Sequence, residues 1–251
     1  RSSNWKEGYG YTVATEMYSA GIDRLTHQPL SFSVSETTEG VHIHIIDAEL
    51  MGKGEKEKKD LYIEGVQNNG IINHYEYIIN SEGTIEIRHV LKPEGKMPLW
   101  FPRIGLTLTV SDALDQVKWY GRGPQENYPD RKTGYPTGIY ASTVQAMYEP
   151  YLMPQDYGLR TDVRWLQLTT DKGIGLQFKM NEWFNFNIYP YSTDNLTKAM
   201  YTYQLQKQKG MTLNLDYATT GVGCTARGVF GAYKAMPQEY RRTISIRPMM
   251  K

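Results

Sequence analysis

Apolar and polar residues alternate along much of the chain with a period of two. The clearest runs are 41–45 (VHIHI), 85–88 (IEIR), 106–110 (LTLTV), 184–188 (FNFNI) and 211–217 (MTLNLDY). Alternation of this kind predicts β-strands that bury one face and expose the other. Turn signals such as Glu39-Gly40, Glu82-Gly83 and Lys172-Gly173 come directly before further apolar runs. The pattern therefore predicts a series of strands joined by short turns.

Helical patterning is nearly absent. No apolar stripe of period 3.6 is longer than about two turns. The best helical candidate is a short segment from Thr193 to Met200, with Thr193 or Asp194 as its N-cap. Many strands, few helices and no internal repeat indicate an antiparallel sandwich or barrel. No shift in composition marks a linker, so residues 1–251 are interpreted as a single all-β domain.

Charge and composition exclude several kinds of partner. The chain has 28 Lys+Arg and 27 Asp+Glu, a formal net charge of +1. We therefore expect no nucleic-acid partner and no polybasic membrane anchor. No run approaches the roughly 18 apolar residues of a membrane span, so no membrane partner is expected. The chain begins without Met and without a signal peptide, and we expect a fragment of a longer protein.

Metal-ligating and nucleophilic residues form no strong motif. His42 and His44 lie two residues apart on one face of a predicted strand, which is a geometrically allowed pair of metal ligands. We favour two half-exposed polar strand positions, and we predict no metal and no cofactor. The single cysteine, Cys224, has no histidine near it in sequence and is interpreted as an inert buried thiol. Segment 53–60 (KGEKEKKD) is predicted to be a solvated loop.

Two irregular segments, 121–138 and 148–164, interrupt the alternation and are rich in glycine, proline and charge. Long irregular segments inside a compact domain are usually functional or structurally pinned. Their carboxylates are interleaved with arginines: Glu126, Asp130, Asp156 and Asp162 with Arg122, Arg131, Arg160 and Arg164. Because a neighbouring arginine lowers the pKa of a carboxylate, we favour an ion-pair lattice over the acid/base couple of glycoside hydrolysis. No catalytic residue is predicted.

The segment 117–133, VKWYGRGPQENYPDRKT, resembles the signature of the C-terminal, or small-chain, domain of glycoside hydrolase family 2 β-galactosidases. Further segments are similar to elements of that family in the same order: 154–158 (PQDYG), 160–165 (RTDVRW), and 215–217 (LDY) followed by 221–223 (GVG). The resemblance extends from Trp5 to the C-terminus. It implies a large antiparallel β-sandwich, or supersandwich, of the galactose-mutarotase-like type. The bacterial cytoplasm and the periplasm both remain open as compartments.

The resemblance also implies that the catalytic residues lie in a different domain. In the family, a (β/α)8 barrel precedes this domain and carries both catalytic glutamates. Such a barrel takes about 250 residues by itself, whereas all 251 residues here are interpreted as a β domain. We therefore expect the non-catalytic C-terminal domain of an enzyme that hydrolyses terminal β-D-galactosides. The expected partners are the barrel domain, the galactoside in the parent active site and further copies of a homo-oligomeric parent.

The resemblance gives the signature loops a structural role or a place at the active-site rim. The residues concerned are Glu126, Asn127, Asp130, Arg131, Gln155, Arg160 and Arg164. A further loop of the family presents a tryptophan to the sugar, and in the matching segment 221–228 Arg227 stands nearest to that position. Three alternatives stay open: Arg227 contacts sugar hydroxyls, Phe230 or Tyr233 replaces the ring, or the loop has lost this role.

Two functions of other classes stay open as alternatives. A free-standing galactose-mutarotase-like epimerase needs a histidine acid and a glutamate base at one cleft, for which the candidates are His74 and His89 with Glu76 or Glu86. A carbohydrate-binding module would bind galactosides in isolation. The family's opening segment, upstream of Trp5, is missing, so we expect an exposed sheet edge that could pair with another copy.

Overall fold

The computed structural model describes Met17 and residues 20–52, 69–223 and 228–250. Within these residues one sheet of 11 strands contains most of the regular structure. The strands are β1 (Thr26–Thr37), β2 (Gly40–Leu50), β3 (Gly70–Ile79), β4 (Ile85–Glu94), β5 (Arg103–Val110), β6 (Gln116–Arg122), β7 (Thr137–Thr143), β8 (Arg160–Thr169), β9 (Gly175–Tyr189), β10 (Met211–Thr219) and β11 (Tyr240–Met249). Helix α1 spans Thr193–Lys198, and single 3-10 turns occupy Ile22–Arg24, Thr202–Gln204 and Gly231–Tyr233. None of the helices described has the length and apolar character needed to cross a bilayer.

The strands follow the order β1-β2-β3-β4-β11-β9-β8-β6-β7, and β10 pairs with both β5 and β9 beside this path. Every pairing is antiparallel. Strand β9 is the branch point. Its residues 175–180 pair with β11, whereas residues 185–189 pair with β10. The long strand thereby joins the β5–β10 branch to the rest of the sheet.

The core lies between the β3–β4 region and the β5–β10 branch. His89 on β4 and the hydroxyl of Tyr217 on β10 are 2.7 Å apart although the two strands do not pair. Large side chains of several strands belong to the same buried cluster, including Trp119, Phe178, Phe184, Phe186, Leu213, Leu215 and Ile244. Each such burial stabilises the fold by about 1.5–3 kcal/mol. The prediction of an all-β, antiparallel sandwich is confirmed.

The predicted elements correspond to observed ones with one correction. All five alternating runs lie in strands, and Gly83 and Gly173 adopt the positive φ of 74° and 77° that their turns require. The predicted cap of the helix was wrong, because Ser192 is the N-cap. Its backbone is extended, and its hydroxyl accepts the Asn195 N–H at 3.0 Å. Segment 53–60, Cys224, Arg227 and the start of the resemblance at Trp5 lie outside the described residues.

Candidate functional site

Glu126 connects the two irregular segments. Its carboxylate accepts hydrogen bonds from the Arg131 guanidinium at 2.7 Å, the Gly158 N–H at 2.9 Å and the Tyr128 hydroxyl at 3.2 Å. The Tyr151 hydroxyl donates to it as well. Burial alone would raise the pKa of Glu126, but the bonds from Tyr151, Gly158 and Arg131 outweigh it and hold the pKa below its usual range. Glu126 is therefore ionised at neutral pH and is unsuited to donate a proton.

Asn127 holds the same two segments together through the backbone. Its buried Oδ1 accepts from both the backbone N–H and the hydroxyl of Thr161, at 3.0 and 2.5 Å. Its Nδ2 donates to the Gln125 carbonyl at 3.0 Å, and its own N–H donates to the Leu159 carbonyl at 2.8 Å. Both polar atoms of this side chain are therefore bonded within the described part of the protein.

Asp162 is a second carboxylate held by cations. It accepts from Arg122 Nε at 2.5 Å and from Lys132 Nζ at 2.9 Å, and its φ of +55° turns the backbone. Burial opposes ionisation, but these two cations keep the pKa of Asp162 below its ordinary value. Arg164 donates to the Asp162 carbonyl at 2.7 Å and stacks over the ring of Trp183, 4.2 Å from its centroid.

Arg160, like Arg164, donates to a backbone carbonyl, and no carboxylate within the described residues pairs with it directly. Its Nη1 donates to the Gly158 carbonyl at 2.8 Å, and its guanidinium lies 5.4 Å from the ring centroid of Trp119. Burial lowers the pKa of Arg160 to about 10. Nearby along the chain, Gln155 is half-buried, and Asp156 accepts from Asn187 Nδ2 at 2.8 Å. These contacts position the loops, whereas a contact of Gln155 or Arg160 with substrate stays a prediction.

Asp130 anchors a different loop. Its two carboxylate oxygens accept the N–H groups of Val222 and Gly223 at 3.0 and 2.7 Å. The base of that loop is closed by a bond from the Gly221 N–H to the Tyr233 carbonyl at 2.8 Å. Gly221 touches Asp130 so closely that an added Cβ would lie 2.3 Å from the carboxylate carbon. The signature segment is thus fixed to the start of segment 221–228, for which a sugar contact stays a prediction.

The two aromatic candidates of this loop face outward. Phe230 is 72% exposed and Tyr233 is 40% exposed, and a 3-10 turn joins them through a bond from the Tyr233 N–H to the Phe230 carbonyl at 2.9 Å. Both rings are therefore available for a partner or a sugar. The structure does not bring Phe230 and Tyr233 into the lattice around Glu126. Their link to the signature is the bond of Asp130 to the loop base.

A buried polar network on β5, β9 and β10 escaped the sequence analysis. Arg103 donates to Asp216 at 2.8 Å and to Asn187 at 3.3 Å, and Asn214 donates to Asn187 at 2.8 Å. Burial raises the pKa of Asp216 to about 6, against the opposing effect of Arg103. The alternation of β10 marked its polar positions as wet, but both faces of residues 211–217 are buried. The polar residues of β10 are the signal in the sequence that could have indicated this buried network.

The epimerase candidates do not converge on one cleft. His89 faces the core, 2% exposed, whereas Glu76 and Glu86 pair with Arg88 on the opposite face of β4. His74 is half-buried on β3, two residues before Glu76. Two surface grooves, of about 360 and 390 Å³, are lined by other residues and by none of these histidines or glutamates.

The described residues thus form an antiparallel β-sandwich in which two signature loops are bonded to each other and Asp130 anchors an outward-facing aromatic loop. Residues 5–246 match the family described as "Beta galactosidase small chain", and the chain belongs to that family. The resemblance drawn from the signature segment is confirmed.

Two curated relatives have the name β-galactosidase. The chain is 38% identical over 147 residues to the "Beta-galactosidase" of Priestia megaterium, covering 59% of this chain and 14% of the relative. It is 31% identical over 207 residues to that of Vibrio cholerae, covering 82% of this chain and 18% of the relative. The chain thus spans less than a fifth of the length of these two enzymes.

Among solved structures, a GalM/aldose epimerase homologue from C. elegans aligns with 88% of this chain and 69% of its own. The TM-score is 0.43 and the identity is 11%. A likeness this distant assigns no function to the chain.

Proposed function

We propose that this chain is a non-catalytic domain of a β-galactosidase that hydrolyses terminal β-D-galactosides. In this proposal a barrel domain supplies the acid/base chemistry. The chain contributes part of the active-site rim through the loop that contains Phe230 and Tyr233, and it serves assembly of the parent enzyme. The single observation that carries the proposal is the pair of hydrogen bonds from the loop to Asp130. They connect the most distinctive segment of the sequence to an otherwise solvent-facing loop.

The ionisation of the signature carboxylates supports a non-catalytic role. Glycoside hydrolysis needs one carboxyl group that keeps its proton at neutral pH and one that is ionised. Glu126 and Asp162 both have lowered pKa values because cations and N–H groups donate to them. Asp216 has a raised pKa, but Arg103 and Thr219 donate to it and its side chain is buried. None of the three is both protonated and accessible.

An exposed apolar surface next to the loop supports docking of another domain. Val222, Phe230 and Met236 are exposed on the loop and its continuation. Leu99 is exposed on the neighbouring segment, where the Phe101 N–H donates to the Ala235 carbonyl at 2.8 Å. Exposed apolar residues that group together on a surface are typical of an interaction site. A barrel covering this surface would bring the loop to the mouth of its active site.

The test is a domain exchange in the Vibrio cholerae β-galactosidase, in which this chain replaces the segment it matches. The exchanged enzyme should hydrolyse nitrophenyl β-D-galactoside. Phe230→Ala and Tyr233→Ala are then compared for KM and kcat. Loss of a stacking ring worth about 1 kcal/mol should raise KM about fivefold in one of the two variants with kcat little changed.

The matched control is Phe32→Ala. Phe32 is also a largely exposed phenylalanine, but it lies on β1 and away from the loop, so its loss should leave KM unchanged. Unchanged KM in both loop variants would refute the rim role of the aromatic residues. A KM raised equally by Phe32→Ala would show that the effect is unspecific.

A further inference from the structure

His42, His44 and Glu76 form a cluster on the outer face of the sheet near its β1 edge. His42 and His44 project from β2, and Glu76 stands directly opposite His44 on β3 in the strand register. Glu76 Oε1 lies 3.4 Å from His42 Nδ1 and 3.9 Å from His44 Nε2. One ligand atom from each of the three residues lies within 4.8 Å of the other two. From this geometry we propose a binding site for a divalent transition-metal ion of the Zn²⁺ type.

The donor set suits this class of metal. Two imidazoles and one carboxylate are ligands that Zn²⁺ accepts at about 2.0–2.2 Å, which places ligand atoms of a tetrahedral site about 3.4 Å apart. The observed spacings need only small side-chain rotations to reach that value. His44 is 51% exposed and is free to make them, and water from solvent can complete the coordination. Magnesium and calcium prefer sites made entirely of oxygen, so they are disfavoured here.

The two oxygens of Glu76 have separate partners. Oε1 faces the histidines, whereas Oε2 accepts from Arg88 Nη1 at 3.1 Å. Arg88 also donates to Glu86 at 2.8 Å, which balances its charge with a second carboxylate. An outer partner that fixes a ligating carboxylate is a regular feature of metal sites. Glu76 is therefore held with one oxygen directed at the two rings.

The ring of His42 directs one nitrogen at the cluster. Its side chain is only 12% exposed, and Nδ1 is the atom that lies 3.4 Å from Glu76 Oε1. An ion bound at Nδ1 leaves the proton of the neutral ring on Nε2, which is buried with no hydrogen-bond partner among the residues described. Nδ1 is therefore the ligand atom that His42 offers to the ion.

The proposal departs from the expectation of no metal, which rested on sequence alone. The spacing of His42 and His44 predicts that they share one face of a strand. That Glu76 lies opposite His44 depends on the register of β2 and β3, which the spacing does not predict. A bound ion would join these two strands at the exposed end of the sheet. The site is independent of the proposed galactosidase role, so failure of either leaves the other unaffected.

Zinc binding by the purified chain is measured by competition with a chromogenic chelator, and Co²⁺ absorption reports the coordination. The parent chain should bind one Zn²⁺ at the cluster and melt at a higher temperature in its presence. His42→Ala and Glu76→Gln should each weaken binding at least about tenfold. His44→Ala should do the same, and its exposed side chain makes it the variant that disturbs folding least. Circular dichroism without metal checks the fold of each variant.

The matched control is His27→Ala, which removes an exposed histidine from β1 outside the cluster. Its affinity for Zn²⁺ should equal that of the parent. No binding of Zn²⁺ by the parent chain would overturn the proposal. Equal affinities of the parent and of a folded His44→Ala variant would also overturn it, because the ion would then lie elsewhere.

Discussion

Acidification should destabilise the fold through His89, which is buried in a hydrogen-bonded chain. Asn73 donates through Nδ2 to Asp47 at 2.9 Å, so its Oδ1 is an acceptor for His89 Nε2 at 3.1 Å. His89 Nε2 must therefore carry the proton, and Nδ1 accepts from the Tyr217 hydroxyl at 2.7 Å. Burial lowers the pKa of His89 to about 4, although the charge of Asp47 opposes this effect. The ring is neutral in the folded protein at neutral pH.

The magnitude follows from proton linkage. In the unfolded chain His89 regains an ordinary pKa of 6.5, so between pH 6.5 and about 4 the unfolded state binds one proton more than the folded state. The free energy of unfolding then falls by about 1.4 kcal/mol for each pH unit of acidification. The loss is about 2 kcal/mol by pH 5 and about 3 kcal/mol by pH 4.

The assay compares the parent chain with His89→Gln, which cannot be protonated in this range. Urea unfolding is followed by fluorescence at pH 7, 6 and 5. The variant is expected to be less stable at pH 7 but to lose about 2 kcal/mol less than the parent between pH 7 and 5. Other titrating groups, such as His27, are present in both proteins, so the comparison isolates the effect of His89. Equal losses in the two proteins would refute the reasoning.

Three further predictions concern the loops and the sheet. Asp130→Ala should lower the free energy of unfolding by about 2 kcal/mol and speed hydrogen exchange at the amides of Val222 and Gly223. Unchanged exchange at these amides would contradict the role of Asp130 as an anchor. Glu126→Gln should lower the free energy of unfolding at pH 7 and lower it much less at pH 3. The lowered pKa of Glu126 stabilises the fold fully above the ordinary pKa of a glutamate, and this contribution is lost as the pH falls. Equal losses in urea unfolding at both pH values would contradict this. Gly105→Ala should lower the melting temperature, because the added Cβ would lie 2.3 Å from a backbone oxygen of β10. Gly134→Ala is the control, since its Cβ would enter open space and should leave the melting temperature unchanged. Equal melting temperatures of the two variants would contradict this.

Local structure was predictable from the sequence where one face of a strand is buried and the other is wet. The runs in β4 and β5 alternate because their apolar side chains pack on the main core, whereas residues between them, such as Arg88 and Thr107, are exposed. The order of the strands was not predictable in this way. Strand β9 pairs with β8, β10 and β11, and its pairing with β11 joins residues that are far apart in sequence. The alternation of apolar and polar residues indicates which face of a strand is buried, but it does not indicate which strand pairs with it.

The candidate site shows the same limit. The ion pairs of Glu126 with Arg131 and of Asp162 with Arg122 join residues of opposite charge, so residue types indicated a lattice. The bond of Asp130 to backbone N–H groups was not predictable, because a backbone donor leaves no trace in residue type. Its partners are also more than ninety positions away along the chain. The resemblance indicated which loop to examine, and only the structure connected it to Asp130.

The most direct test of the central claim is the hydrolysis of nitrophenyl β-D-galactoside by the isolated, folded chain. Because the acid/base pair is proposed to lie in the barrel domain, the isolated chain should release no nitrophenol above the rate in buffer. The same preparation should show a native circular dichroism spectrum. Turnover comparable to that of a complete β-galactosidase would contradict the account, because the chain would then contain the catalytic groups itself.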